Sequence, residues 1–324
     1  MRRKKVEKAW TEPWWDGLAN CLAALSALPA AEERLAWLNR EALHRQCRNA
    51  RGLPIRFRDA HAWKTSRGEN MRRALHDARV GAGDGAREGT AWLPETARLQ
   101  GAGSCYEAGI DASGEVPTRT SGEGAWHDLF NALMWLHWPL SKAQLNRLHV
   151  CAPALPPGQA GVRGPVRDRA TLIDENGMIW VETDRELCQW LRERRWADLF
   201  IAGRARWPQP LHILGHALLH KLMKPFKAIT AHVWILQPCA SAAGQSAAGP
   251  GSDRAQADRL LASALAALAD PRDAEGGSPG DHCHVTFHPL PVLGIPGWWA
   301  ANDSPAFYDD EAVFRAPGAR ARQG

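Results

Sequence analysis

Tyrosine is almost missing from this 324-residue chain, which has 2 of them against 16 tryptophans. Paired cysteines are missing altogether. Cys21, Cys47, Cys105, Cys151, Cys188, Cys239 and Cys283 stand singly, in no CxxC, and their number is odd. That pattern excludes a zinc finger and argues against a disulfide framework, so a reducing, cytoplasmic setting is expected. There is no GxSxG elbow, no HExxH helix and no nucleotide-binding glycine loop, which removes the usual signatures of serine hydrolases, zinc proteases and nucleotide enzymes. No apolar run reaches the ~18 residues of a membrane-spanning helix, so no membrane partner is expected. Charge of one sign is not in excess either: 40 Lys and Arg against 35 Asp and Glu leave +5.

What is present fits an ordinary globular chain, with 45% hydrophobic and 23% charged residues. The opening MRRKKVEKAWTEPWWDGLAN imitates a secretory signal, but Glu7, Lys8, Glu12 and Asp16 interrupt the stretch that should be apolar, so an amphipathic helix is expected instead. Residues 1–104 read as a helical and irregular region with helices near 16–28, 31–47 and 69–80 and a glycine-rich linker over 81–104. The main domain is expected at 105–315. It is interrupted by a Gly/Ser/Ala-rich insertion at 240–281 that carries one short helix and either projects from the fold or is partly disordered, and a basic tail follows at 316–324.

Inside the main domain, TLIDENGMIWV at 171–181 places Asn-Gly between apolar runs and predicts an antiparallel hairpin. Ser141 with Gln144, and Thr183 with Glu186, have capping-box spacing. PLHILGHALLHKLM predicts one apolar helix ended by Pro225. The expected fold class is therefore α+β, mainly helical, with a Trp-rich core and a small antiparallel hairpin.

Five segments can carry chemistry. In WHDLFNAL, His127 and Asn131 share a helix face among apolar neighbours, and Asp128 lies beside them. Buried polar groups need partners, so these three are either a base, orienter and ligand set or a satisfied structural cluster. His212, His216 and His220 recur every four residues. Two of the three can chelate one ion, but the outer pair would be about 12 Å apart along a helix axis. HCHVTFH would put His282, His284, Thr286 and His288 on one side of a strand. The segment from Tyr106 to Arg119 gathers Glu107, Asp111 and Glu115, read as a loop in which Glu107 adds a carboxylate; Arg119 either clamps an anion or pairs with Glu107 or Glu115. Trp298-Trp299 either stack a ligand, with Tyr106 as a further contact, or close a core.

YE with GEVPTR, then WHDLFNALMWLHWPLSKAQLN, RDRATLIDENG, GHALLHKLMKP, PLPVLGIPGWW and FYDDEAVFR, resembles the bacterial domain-of-unknown-function family 3025. The resemblance spans about Tyr106 to Arg315 outside the insertion. It implies a soluble bacterial protein and one fold unit, bringing Glu107, His127, Asp128 and Asp174 toward one another, and it supplies no catalytic residue.

The functional expectation is a cytoplasmic, metal-assisted hydrolase acting on a phosphoester. His127 and Asp128 act as base or ligands, His216 as a further ligand to a divalent metal, Asn131 as orienter, Glu107 as carboxylate and Arg119 as anion clamp. The alternative is a non-catalytic interaction module in which the same polar residues tie the 106–124 segment to the helix. Nucleic-acid binding through Arg2 to Lys5 and Arg192, Arg194 and Arg195 is disfavoured, because those cations are interleaved with acids.

Overall fold

The computed structural model describes residues 10–66, 105–151, 165–207, 209–237, 254–268 and 285–316. These are mostly helical, with two small sheets. The predicted helix at 69–80, the linker, His282, His284 and the tail beyond 316 lie outside the described residues. Among the described residues, no helix is long and apolar enough to cross a membrane.

The first two helices run where the sequence placed them, α1 over Ala19–Ala27 and α2 over Ala31–His44, divided by Pro29, whose ring and missing N–H forbid continuation. The strand β1, Arg56–Asp59, pairs in parallel with β2, Glu115–Thr118, Phe57 facing Val116. Just before β2 stands α3, Cys105–Ser113, so the segment expected as a loop is a helix and a strand. Gly114 joins them at φ 72°, where a Cβ would fall 2.3 Å from the Pro54 carbonyl.

Next come α4, Ala125–His137, and α5, Pro139–Cys151, a helical pair divided at Trp138. After these, α6, Pro165–Asn176, runs straight into β3, Gly177–Val181. The predicted hairpin at 171–181 is therefore corrected: its first half is helix, and Asn176-Gly177 is a helix-to-strand junction. Gly177 is needed for close approach, because a Cβ there would meet the Ile173 carbonyl at 2.3 Å. The second sheet has the order β4-β3-β5-β6, with β4 Leu211–Ile213, β5 Thr230–Leu236 and β6 His288–Pro291. β3 and β5 run parallel, and β4 and β6 flank them antiparallel. β3 is buried at every residue, which is why GMIWV is continuously apolar instead of alternating.

Other boundaries moved for local reasons. α7 spans Arg185–Arg192, and its N-cap is Asp184, accepting from the Leu187 amide at 3.1 Å, not Thr183. The apolar segment 210–223 divides into β4 and α8, His216–Leu222, so His212 is on a strand, apart from His216 and His220. The insertion helix is found, as α9 over Arg254–Ala267, but its Leu261 and Leu265 are buried. Asp258 accepts from the amides of Leu140 and Ser141 at 3.1 and 2.8 Å, which caps α5 from another helix and replaces the Ser141/Gln144 box.

Tryptophan dominates the core as expected. Trp15, Trp135, Trp138 and Trp180 are among the largest fully buried side chains, and Trp15 stacks on Phe130 at 5.7 Å. Trp10, Trp14 and Leu22 belong to the same apolar cluster as Phe130 and Trp135.

Candidate metal centre

Three helix ends meet at one point: the first turn of α4, the last turn of α6 and the start of α8. Gly124, at φ 78°, opens α4 and leaves room for Arg119, whose guanidinium a Cβ would strike at 2.8 Å. Arg119 crosses to Asp128, giving it the backbone amide at 2.9 Å, Nε at 2.8 Å and a terminal nitrogen at 2.9 Å. Asp128 Oδ1 also lies 3.4 Å from His127 Nδ1. Burial would raise the Asp128 carboxyl, but the bonds from His127 and Arg119 hold it far below the usual range.

α8 docks on the end of α6 through its glycine. The amides of Leu214 and Gly215 both donate to the Gly177 carbonyl, at 3.1 and 2.9 Å. A Cβ on Gly215 would lie 2.5 Å from the Glu175 carbonyl, so only glycine permits this approach. The next residue, His216, is buried and places Nδ1 2.8 Å from the Asp174 carbonyl. A carbonyl only accepts, so Nδ1 carries the proton and Nε2 presents its lone pair. That lone pair is 3.5 Å from Glu175 Oε2, and His127 Nε2 is 3.7 Å from the same oxygen. The donor atoms of His127, Glu175 and His216 all lie within 4.8 Å of one another. Hydrogen bonding to Asp128, and then to Glu175, raises the His127 imidazole to about 9, whereas burial lowers that of His216. His220 is exposed, one turn further along α8, with its ring 5.9 Å from that of His127.

Beside this opening a second set of polar groups is paired within itself. Asn131 donates to the Tyr106 hydroxyl at 3.1 Å and accepts from Lys142 Nζ at 2.8 Å, and Lys142 reaches Asp174 Oδ1 at 2.5 Å. Burial opposes ionisation of Asp174, but the Lys142 ammonium holds its carboxyl low.

The expected residues thus divide. His127 and His216 converge. Asp128 stands behind His127 with both oxygens already accepting, and Asn131 and Tyr106 join the hydrogen-bonded chain through Lys142. Arg119 pairs with Asp128 and not with Glu107 or Glu115; Glu115 instead takes Arg58 at 2.9 Å. The Glu107 carbonyl accepts from Asn146 at 2.9 Å, and the Glu107 Oε2 is buried with no hydrogen-bond partner among the described residues, outside the converging set. Trp298 packs 6.2 Å from Trp14, and Trp299 is partly buried against the core. His212 sits 6.0 Å from Trp138, also elsewhere. The sequence patterns single out neither Glu175 nor Lys142. The available signal was ATLI ahead of DEN, an apolar helical turn with its acids at the C-terminal end.

The arrangement defines a class: a mainly helical α+β protein in which two imidazoles and a carboxylate converge where three helix ends meet. Within that class, the family model described as "Protein of unknown function (DUF3025)" matches residues 93–318, and the chain belongs to this family. No curated protein and no solved structure matches it.

Proposed function

We propose that the protein is a hydrolase that holds one divalent transition-metal ion through His127 Nε2, His216 Nε2 and Glu175. One observation carries this reading: three donor atoms converge while the far nitrogen of each imidazole is already held from behind. Bonds of ~2.0–2.2 Å to nitrogen and oxygen in a tetrahedral site set neighbouring donors about 3.3 Å apart, close to the 3.5 and 3.7 Å from each imidazole to Glu175, with all three donors within 4.8 Å. The Asp174 carbonyl behind His216 and the Asp128 carboxylate behind His127 are the outer partners that orient ligating histidines. Nitrogen and carboxylate donors suit zinc, iron(II) or manganese(II) better than calcium.

Held by these three residues, such an ion would acidify water and supply hydroxide at neutral pH. Glu175 and His127 line the solvent side, with side-chain exposures of 36% and 35%, so a substrate can reach the centre. Phosphoesters remain the proposed substrate class. The anion clamp assigned to Arg119 is not supported, because that guanidinium is engaged by Asp128, and the ion itself would meet the substrate's oxyanion. The hydrogen-bonded chain Tyr106–Asn131–Lys142–Asp174 supports a structural role for Asn131 and Tyr106.

The test is elemental analysis of chelator-stripped protein after loading with Zn²⁺, Mn²⁺ or Fe²⁺, for wild type, His216→Ala and Glu175→Gln. Hydrolysis of bis(4-nitrophenyl) phosphate is assayed beside a carboxyl ester and an amide. The expected result is about one equivalent in wild type, lost in both variants, with ion-dependent phosphodiester cleavage. Wild-type protein that takes up no ion would overturn the reading in favour of a structural cluster.

A further inference from the structure

α7 ends in a Schellman motif whose left-handed residue is an arginine. The Arg194 amide bonds the Leu191 carbonyl at 3.1 Å and the Arg195 amide bonds that of Trp190 at 2.9 Å, with Arg194 at φ 53°. Glycine is the residue that takes this position without steric cost. Arg194 lines a cleft of about 330 Å³ together with Trp196, Thr230, Pro289, Pro291 and Arg315, and among the described residues no acid is in its walls. Trp196 Nε1 anchors the Arg315 carbonyl at 2.8 Å, and Arg315 Nε donates to the Ala312 carbonyl at 3.0 Å.

Four acids on the flanking segments are engaged, and Asp309 is exposed and outside the cleft lining. Glu193 and Asp198 lie 3.5 and 2.7 Å from Arg195, Glu182 is 2.7 Å from Arg192, and Asp310 is 3.0 Å from Lys227. Glu311 is exposed and does not line the cleft. Among the described residues neither Arg194 nor Arg315 makes an ion pair. After burial, the charges of Arg192 and Arg194 push the nearby His288 imidazole down, the mark of a local positive field.

We propose that this cleft is an anion site that takes the phosphate group of a small phosphorylated molecule between Arg194 and Arg315. Guanidinium forks match phosphate oxygens in bidentate fashion, and Trp196 with the two prolines supplies an apolar wall for the organic part. The volume is at the lower end of small-molecule sites. None of the residues that converge at the candidate metal centre lines it.

The experiment is thermal unfolding and calorimetric titration of the full chain with inorganic phosphate and with phenyl phosphate, against chloride at matched ionic strength. Both phosphates should raise the melting temperature beyond chloride, phenyl phosphate the more. Arg194→Gly should melt higher than wild type without ligand, since glycine relieves the left-handed backbone, yet bind phosphate at least about tenfold more weakly. Arg315→Ala should also weaken binding. Gln46→Gly is the control: Gln46 takes the same position after α2, at φ 53°, so this variant should gain stability and keep the phosphate response. No stabilisation beyond chloride would overturn the proposal. So would a response that persists in Arg194→Gly but vanishes in His216→Ala, which would place the phosphate at the metal centre.

Discussion

His216 is held by the main chain of Asp174, not by its carboxylate: Nδ1 donates to the carbonyl at 2.8 Å, while the nearer carboxylate oxygen is 3.8 Å away. The Asp174 side chain instead serves Lys142, and the two functions of one residue can be separated by substitution.

Asp174→Asn should leave the His216 tautomer and the ion site largely in place but strand the Lys142 ammonium, whose side chain is only 5% exposed. Removing one partner of a buried pair costs about 3–5 kcal/mol, and partial solvation of Asp174 puts this case near the lower figure. Denaturant unfolding would measure the loss. The double variant Lys142→Met/Asp174→Asn should recover much of it, and a purely additive result would show that the pair is not coupled.

Asp128→Asn should lower the His127 imidazole from about 9 toward its ordinary value, because the bond to Asp128 is the largest cause of the rise. Histidine NMR titration reads this directly. An unmoved His127 would mean that Glu175 alone sets its charge.

Gly215→Ala should damage the centre without touching any ligand. Its Cβ would press on the Glu175 carbonyl at 2.5 Å and the Gly177 nitrogen at 2.6 Å, both backbone atoms that cannot swing aside. Overpacking of this kind costs about 1–3 kcal/mol, and ion uptake should fall with it. Full uptake in a folded variant would contradict the close docking of α8 on α6.

Acid should loosen the joint around His137. Burial first, then the charges of Arg254 and Arg45, lowers this imidazole to about 3; Arg254 lies 3.2 Å from its Nδ1 and Cys21 3.5 Å from its Nε2. The unfolded chain binds this proton near pH 6.5 and the folded chain does not until about 3. The contribution to stability is therefore complete above 6.5 and falls with pH below it, by up to about 1.4 kcal/mol per unit. His137→Gln, which keeps an acceptor and a donor, should flatten the acid side of the stability curve by one proton. Identical slopes would refute the assignment.

Much of this architecture was legible from local chemistry. α1, α2, α4 and the insertion helix lie where apolar spacing and proline placed them, and the tryptophans fill the core. Errors came where a distant partner outweighed a local signal. Asn176-Gly177 has the composition of a tight hairpin, yet residues 171–176 stay helical, and Gly177 is needed because Ile173 presses on it. His212 shares the spacing of His216, but pairing of β4 with β3 draws it into a strand. For the site, His127 was visible as a polar residue on an apolar helix. Glu175 was not: a glycine before His216 suits the close approach of another backbone, but nothing nearby in sequence shows that this backbone is the end of α6. Asp128 and Arg119 were noticed individually, but their mutual bond, which takes Arg119 out of the anion-clamp role, depends on the left-handed turn at Gly124.

The cap that Asp258 gives to α5 has a consequence for biosynthesis. The free amides of Leu140 and Ser141 find their acceptor 118 and 117 residues later in the chain, so on the ribosome the helix bearing Lys142 emerges long before its first turn can be satisfied. Trimming the 240–281 segment as dispensable would leave that turn permanently uncapped and uncover the surface on which Leu261 and Leu265 rest. A shortened chain should therefore fail in folding before it fails in chemistry.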